Sequence, residues 1–394
     1  MTVAAFMELA LYHPELGYYA RAARRSGRTG DFFTSVDVGP LFGELLATQL
    51  AEMAAILNSA FGIQNAFDLV EAGAGNGRLS ADILGAARAQ GSRFYDSIRL
   101  HLSEVSPQAR AAHTSTLGDH AGRLVWSDSA LPGSFEGVLI ANELLDALPV
   151  HQVVMREGGL REVYVAIRSA DDSDGARRLR AEGASACAEA SAWSASLAEA
   201  RADNERAEAG GLSRATDGEA LALTEGPVST PALNEYLEQL GVELQPGWRI
   251  EINLRAVEWI HEAARHLRRG FIMVIDYGHE ARELYSPTHA AGTLTTFSRH
   301  QSTGPEAPGV PAWLQSPGNQ DITSHVDFTS VRAAAEAEGL QTLGFMDQTY
   351  FLLGLLPPDI GDRQSIRNHG ESTRNRGPHG ADLAPWGGSP PSAI

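Results

Sequence analysis

A doubly wound α/β fold with a mostly parallel central sheet is the architecture this 394-residue sequence predicts. Three observations lead there. Strand-like and helix-like runs alternate from residue 67 onward, and a glycine-rich bend follows the first strand. The later strands are apolar throughout, as strands covered by helices on both faces must be.

Taken in order, residues 3–12 and 40–57 carry apolar side chains at helical spacing, the second through Leu41, Leu45, Leu46, Leu50, Met53 and Leu57. Between them lies Gly27-Arg28-Thr29-Gly30-Asp31-Phe32-Phe33-Thr34-Ser35, rich in glycine and aromatic residues. Phe67 to Glu71 reads as a short strand and Leu79 to Ala89 as a helix. Ile98 to Glu104 is a second strand, alternating Ile98, Leu100 and Leu102, and Gln108 to Leu117 is helical. Leu124-Val125-Trp126 is a short strand, and Gly137 to Asn142 is a fully apolar one. The pattern resumes late in the chain. Arg255 to Leu267 reads as a helix stopped by Gly270, and Phe271 to Ile275 as a buried strand. Val331 to Glu338 is a last helix, followed by strand-like runs at Leu340 to Met346 and Thr349 to Leu353.

The interruption at residues 150–247 is a different kind of sequence. Alternating runs at Gln152 to Arg156 and Leu160 to Ala166 suggest a hairpin, and an Ala/Glu/Arg-rich stretch from Ser169 to Glu225 follows. Few large apolar residues occur there, so an inserted subdomain with helices and a mobile stretch is expected. Gly361 to Ile394 holds Trp386 as its one aromatic residue and reads as a disordered tail. The predicted organisation is an N-terminal helical gate (1–60), a split core (61–149 and 248–360), the insertion (150–247) and the tail (361–394).

Composition narrows the chemistry. Acidic residues outnumber basic ones by 49 to 31, for a net charge of −18. A general nucleic-acid binder is not expected, since phosphate binding needs clustered cations. All the basic residues are arginine. The absence of lysine excludes P-loop nucleotide hydrolysis, kinase and Schiff-base chemistry. Cys187, the one cysteine, excludes internal disulfides and cysteine-based metal or redox sites. The 13 histidines show no HExxH or similar spacing. His261 and His266 are five apart, and His13 and His325 read as structural, so no metal is expected. With no apolar run of membrane-spanning length and no signal peptide at Met1 to Phe6, a cytoplasmic protein is expected.

The sharpest local motif is Glu71-Ala72-Gly73-Ala74-Gly75-Asn76-Gly77, directly after the first strand and before a helix. Glycines suit a tight turn against a ligand, and the helix start adds free N–H donors. A nicotinamide fingerprint needs a glycine at position 78, where this chain has Arg78. The second strand ends at Glu104, where a carboxylate can accept ribose hydroxyls. Asp128 follows the third strand, within reach of an adenine amino group. The fourth strand ends in Asn142-Glu143-Leu144-Leu145-Asp146-Ala147-Leu148-Pro149 and the fifth in Asp276-Tyr277-Gly278, at the sheet edge where such folds bind ligands. Plainer roles stay open: a glycine turn without ligand, Glu104 as surface charge, Asp128 as a turn residue, Asn142 or Glu143 as a cap, Tyr277 as packing.

The full set resembles the MidA-like family of class I S-adenosylmethionine-dependent methyltransferases. The resemblance begins with Tyr12-His13-Pro14, Gly17-Tyr18-Tyr19, Gly30-Asp31-Phe32-Phe33-Thr34-Ser35 and Phe42-Gly43-Glu44. It continues through the Glu71–Gly77 bend, Glu104-Val105-Ser106-Pro107, Asn142 to Pro149, Asp276-Tyr277-Gly278 and Asp321-Ile322-Thr323-Ser324-His325-Val326-Asp327-Phe328. It spans about residues 3 to 354. The chain departs at Val36-Asp37, where the family often has Pro-Glu, and at Ala74, where it has proline.

The resemblance implies S-adenosyl-L-methionine as cofactor, with Glu71, Gly73, Gly75, Gly77, Glu104, Asp128 and Asn142 around it and Gly30, Asp31 and Thr34 in a segment that closes over it. It implies methylation of arginine on a protein partner with a basic segment, such as a respiratory-complex subunit. Glu143 and Asp146 are then the candidate catalytic carboxylates, gripping a guanidinium. The alternatives are a small-molecule methyltransferase, a non-catalytic assembly factor that keeps the pocket, and, disfavoured by Arg78, a nicotinamide oxidoreductase.

Overall fold

The computed structural model describes residues 1–20, 39–62, 66–91, 93–168, 220–298, 301–305, 310–356 and 392–393. In chain order come helices α1 (Val3–Tyr12) and α2 (Leu41–Phe61), strand β1 (Phe67–Ala72), α3 (Arg78–Ala89), α4 (Arg93–Ser97), β2 (Ile98–Ser103), α5 (Pro107–Leu117), β3 (Leu124–Asp128) and β4 (Phe135–Asn142). Strands β5 (His151–Arg156), β6 (Gly159–Arg168) and β7 (Ala220–Gly226), helix α6 (Ala232–Leu240) and β8 (Arg249–Ile252) form the inserted part. The chain returns through α7 (Leu254–His266), β9 (Leu267–Asp276), β10 (Gly278–His279), α8 (Ala281–Leu284), β11 (Thr295–Ser298), β12 (Gln301–Thr303), α9 (Ala312–Gln315), β13 (Asp321–Thr323), β14 (Val326–Asp327), α10 (Phe328–Ala337), β15 (Met346–Asp347), α11 (Gln348–Leu355) and β16 (Ser392–Ala393).

The main sheet has the order β15-β16-β9-β4-β1-β2-β3. β3, β2, β1, β4 and β9 are mutually parallel, and β16 and β15 add antiparallel pairing at one edge. This is the mostly parallel α/β sheet predicted, with its strand order reversing between β1 and β4. In such sheets a crevice opens at that point, outside the carboxyl ends of the strands. β1 is buried along its whole length, and its face toward α2 and α3 carries the largest core cluster (Leu46, Leu50, Phe67, Leu69, Ile83, Leu84, Leu100, Ile140).

Close backbone approach dictates two glycines of the sheet. A Cβ on Gly137 would lie 2.0 Å from the Asp68 carbonyl oxygen, and one on Gly270 would lie 1.7 Å from that of Gly137. Gly270 is therefore a residue inside β9, not the stop of the preceding helix, which ends four residues earlier at His266. Two other sequence expectations change. Thr349 to Leu353 is helical, because the Asp347 carboxylate caps the segment by accepting from Thr349 N at 2.7 Å. Leu340 to Met346 contributes only Met346–Asp347 as strand. A short apolar run does not distinguish strand from helix by period, and the cap decides it.

The second sheet is antiparallel, in the order β7-β6-β5-β8. The β5–β6 hairpin is as read from the sequence. The end of the Ala-rich stretch is strand, since residues 220–226 pair with β6 over its length and Leu221 and Leu223 pack on the cluster below. Residues 169–219, and all of the tail except 392–393, lie outside the described residues. Helix α1 packs on this second sheet: Val3, Phe6, Met7 and Leu11 share a core with Val154, Val163 and Val165. Among the described residues no helix is long and apolar enough to cross a membrane.

Candidate methyl-transfer site

The bend after β1 is built by three left-handed glycines, Gly73, Gly75 and Gly77, at φ 69°, 51° and 85°. Its amides are largely committed inward. Gly73 N and Ala74 N donate to Ser103 O at 2.9 and 3.1 Å, and Gly77 N donates to Ala74 O at 2.8 Å. Gly75 N donates 2.8 Å to Glu104 Oε2, and Ser106 N donates 2.7 Å to Glu104 Oε1. The carboxylate of Glu104 is thus clamped at the end of β2 by the backbone N–H groups of Gly75, Ser106 and Val105. A carboxylate has about four acceptor positions, so one remains for a further donor such as a ribose hydroxyl. Burial pushes the Glu104 carboxyl upward, against those N–H bonds, which pull it down.

Glu71 turns away from the bend. Its carboxylate accepts the Ser80 hydroxyl and the Ser80 backbone N–H in the first turn of α3. It thereby caps a helix whose N-cap residue, Gly77, has no side chain to do so. Burial outweighs these bonds and raises the Glu71 carboxyl to about 7.

His113 is a participant the sequence reading missed. It is 1 % exposed, and its ring bridges the Gly75 carbonyl (Nε2, 2.9 Å) and Ser127 Oγ at β3 (Nδ1, 2.9 Å). It lies on the buried stripe Ala109, His113, Leu117 of α5. A polar residue within a helical apolar stripe was the available signal. Asp128, next along β3, is exposed, and its Oδ1 accepts from Ser129 N at 2.6 Å. Gly30, Asp31 and Thr34, the expected closing segment, lie outside the described residues.

At the ends of β4 and β9 the carboxylates gather. Glu143 adopts a left-handed conformation (φ 50°), the one non-glycine residue with positive φ among the described residues, and its N–H donates to Ile275 O at 2.8 Å. Such strain persists where surrounding structure enforces it. Asp276, 0 % exposed, does the enforcing. Its Oδ2 accepts from Leu144 N and Leu145 N at 3.1 and 2.7 Å, with Asp146 N at 3.4 Å, and its Oδ1 accepts from Tyr277 N at 2.8 Å. Asp146 is 8 % exposed. Burial, then repulsion from Asp276, Glu143 and Asp321, drives its acidity far down.

Two tyrosines close the pocket from the α1 side. Tyr12 donates 3.0 Å to Ala147 O, and Tyr19 donates 2.7 Å to Asp321 Oδ1. Their rings pack at 5.3 Å. Burial and then Asp321, Glu8, Asp146 and Glu104 all raise the Tyr12 phenol, so the acidic pocket and the end of β2 lie within one electrostatic neighbourhood. The bends touch directly as well: a Cβ on Gly73 would lie 3.0 Å from Leu144 Cδ1.

These residues suit a nucleoside that carries an amino-acid chain. The space in front of Gly75 is open, since a Cβ there would meet nothing within 4 Å. The Asn142 side-chain oxygen, at the mouth of the crevice, is buried without a hydrogen-bond partner. Glu104, Gly75 and Asn142 thus present acceptors and clearance at the point where the strand order reverses.

Comparison with known proteins agrees. Residues 45–346 match the Methyltransf_28 family, described as S-adenosyl-L-methionine-dependent methyltransferase. The mouse mitochondrial protein arginine methyltransferase NDUFAF7 is 28% identical over 376 residues, covering 89% of this chain and 70% of that protein. Its Drosophila melanogaster homologue, also named mitochondrial, is 26% identical over 380 residues, with the same coverage. A Burkholderia thailandensis crystal structure described as a methyl transferase bound to S-adenosyl-homocysteine superimposes with a TM-score of 0.68 at 26% identity, covering 95% of this chain and 80% of that one. The mitochondrial names of these relatives overturn the expectation of a cytoplasmic protein, which rests on missing signals: no apolar run of membrane-spanning length and no signal peptide at Met1 to Phe6. The fold, the glycine bend, the clamped Glu104 and the match over most of the length place the chain in the MidA-like family of S-adenosyl-L-methionine-dependent methyltransferases.

Proposed function

We propose that this methyltransferase modifies arginine on a protein partner. The observation that carries the reading is the acidic cluster, where Asp276, Glu143 and Asp321 lie close enough to Asp146 to oppose its ionisation. A guanidinium brought to this cluster adds a positive charge among its carboxylates. Arginine stays protonated to above pH 12, so its charge favours ionised carboxylates, which can hold two of its nitrogens. The names of the mouse and fly relatives point the same way, as does a net charge of −18, which favours a basic partner segment. A respiratory-complex subunit is the first partner to test.

The bound cofactor supplies an electrophilic methyl group on sulfur. The protein's own work is placement. In this reading Gly73, Gly75 and Gly77 shape the bend, Glu104 accepts the ribose hydroxyls and Asn142 the cofactor's ammonium, while Asp128 offers an acceptor toward the adenine. Glu71 and His113 brace the bend from below and from the side. Glu143 and Asp146 orient the acceptor nitrogen in line with the methyl group, and Tyr12 and Tyr19 exclude water from the pocket.

Two experiments test the proposal. Labelled S-adenosylmethionine is incubated with the enzyme and a lysate lacking it, and the protein fraction is hydrolysed. Labelled methylarginine is expected, whereas label confined to small molecules would overturn the protein-arginine reading. In single-turnover assays at unchanged cofactor affinity, Glu143→Gln and Asp146→Asn should each slow transfer about 10- to 150-fold, the kinetic equivalent of one charge-assisted bond. Near-wild-type rates in both would remove these residues from the mechanism.

A further inference from the structure

Beside the acidic pocket, the fold gathers three histidines from distant parts of the chain. His279 lies in β10, His289 follows Pro287 in a short turn, and His325 precedes β14. One ring nitrogen from each lies within 4.8 Å of the others. The rings pack against one another with centroids 4.9, 5.2 and 5.8 Å apart, two pairs tilted and the His289–His325 pair edge to face. No spacing in the sequence announces the group, since 279, 289 and 325 share neither a helix nor a strand.

We infer that His279, His289 and His325 form a binding site for a zinc-like divalent transition metal. Two observations carry this. First, His279 Nε2 and His325 Nδ1 are buried without hydrogen-bond partners, an expensive state for imidazole nitrogens unless something else occupies their lone pairs. Second, the outward nitrogens of two rings are already held. His279 Nδ1 faces Glu283 Oε1 at 3.3 Å, and His289 Nδ1 donates to the Glu283 main-chain oxygen at 3.0 Å. Metal-binding histidines are oriented in this way, with the far nitrogen donating to a carboxylate or carbonyl.

In a tetrahedral zinc site the ligand nitrogens stand about 3.4 Å apart, so small side-chain rotations complete the coordination. Imidazole donors select zinc, cobalt, nickel or copper over magnesium and calcium. Three protein ligands leave a fourth position for water, facing a pocket lined by Tyr285, Gly292 and Thr293. The site also bears on the acidic pocket. His325 N donates to Thr293 Oγ1 at 3.0 Å, and the adjacent Ser324 N donates to Asp146 O at 2.9 Å. A metal there would pin the loop whose Ser324 N–H bonds Asp146 O and tie β10, the 287–289 turn and the start of β14 together.

The test uses full-length protein without a polyhistidine tag, loaded with Zn²⁺ or Co²⁺ and desalted. Elemental analysis should give close to one metal per chain, and the Co²⁺ form should show the visible absorption of a four-coordinate site. His289 is half-exposed, so His289→Ala should fold and lose the bound metal. Glu283→Ala, at an exposed position, should weaken binding 10- to 100-fold. Zn²⁺ should raise the unfolding temperature of the wild type and leave that of His289→Ala unchanged. Equal metal content or equal thermal response in wild type and both variants would overturn the inference. Calorimetry with S-adenosyl-homocysteine on the same samples reads the methyltransferase site independently.

Discussion

Replacing Glu71 with glutamine tests whether burial or helix capping governs this carboxyl group. The amide keeps the shape and one acceptor for the Ser80 donors, and removes the titration. In the folded chain the carboxyl is raised from 4.5 to about 7. The folded state therefore holds its proton more tightly than the unfolded state does, and linkage fixes the sign. The stabilisation is fully present below about pH 4.5, declines as pH rises through 7, and is absent above that. A displacement of this size corresponds to roughly 3 kcal/mol. Urea unfolding of both proteins at pH 5 and pH 8.5 reads it directly. Relative to wild type, Glu71→Gln should gain about 2–3 kcal/mol on going from the lower to the higher pH. The opposing force is specific: the N-terminus of α3 favours a negative charge by about 0.3–1 kcal/mol, up to about 2 in buried geometry. Parallel pH profiles for the two proteins would show that the cap keeps Glu71 charged and would refute the reasoning.

Glu104→Gln sets an amide N–H₂ against either the Gly75 or the Ser106 N–H, since each now occupies its own oxygen. The loss of about 1–3 kcal/mol should weaken S-adenosyl-homocysteine binding by 10- to 100-fold in calorimetry. His113→Ala removes the bridge between Gly75 O and Ser127 Oγ, with an expected affinity loss of about tenfold and an unchanged circular-dichroism spectrum. Gly137→Ala drives a methyl group into the Asp68 carbonyl and should prevent folding, read as insoluble expression. Gly75→Ala meets no atom within 4 Å, so it should stay soluble at a cost of about 1–2 kcal/mol for its left-handed backbone, and lose cofactor affinity by calorimetry.

Local signals were enough for β1, the glycine bend and α3, because strand period, glycine chemistry and helix period all act within a dozen residues. They were enough too for placing Glu104, Asn142 and Glu143 at strand ends, since a parallel sheet puts successive strand termini on one edge. Gly270 and Thr349 to Leu353 were misread because their conformations depend on other chain segments or on a cap. One is required by the passing carbonyl of Gly137 and the other by the Asp347 side chain.

What the sequence determined by itself is the order of strands and helices and the chemistry of the bend, both encoded in near neighbours. Only the tertiary structure decided that Asp276 organises the turn carrying Asp146, that Tyr12 and Tyr19 close the acid cluster, that His113 braces Gly75, and that three histidines meet. Those contacts join residues from 10 to more than 300 positions apart. No local period records such separations; the folding of one sheet edge onto its neighbours brings them within reach.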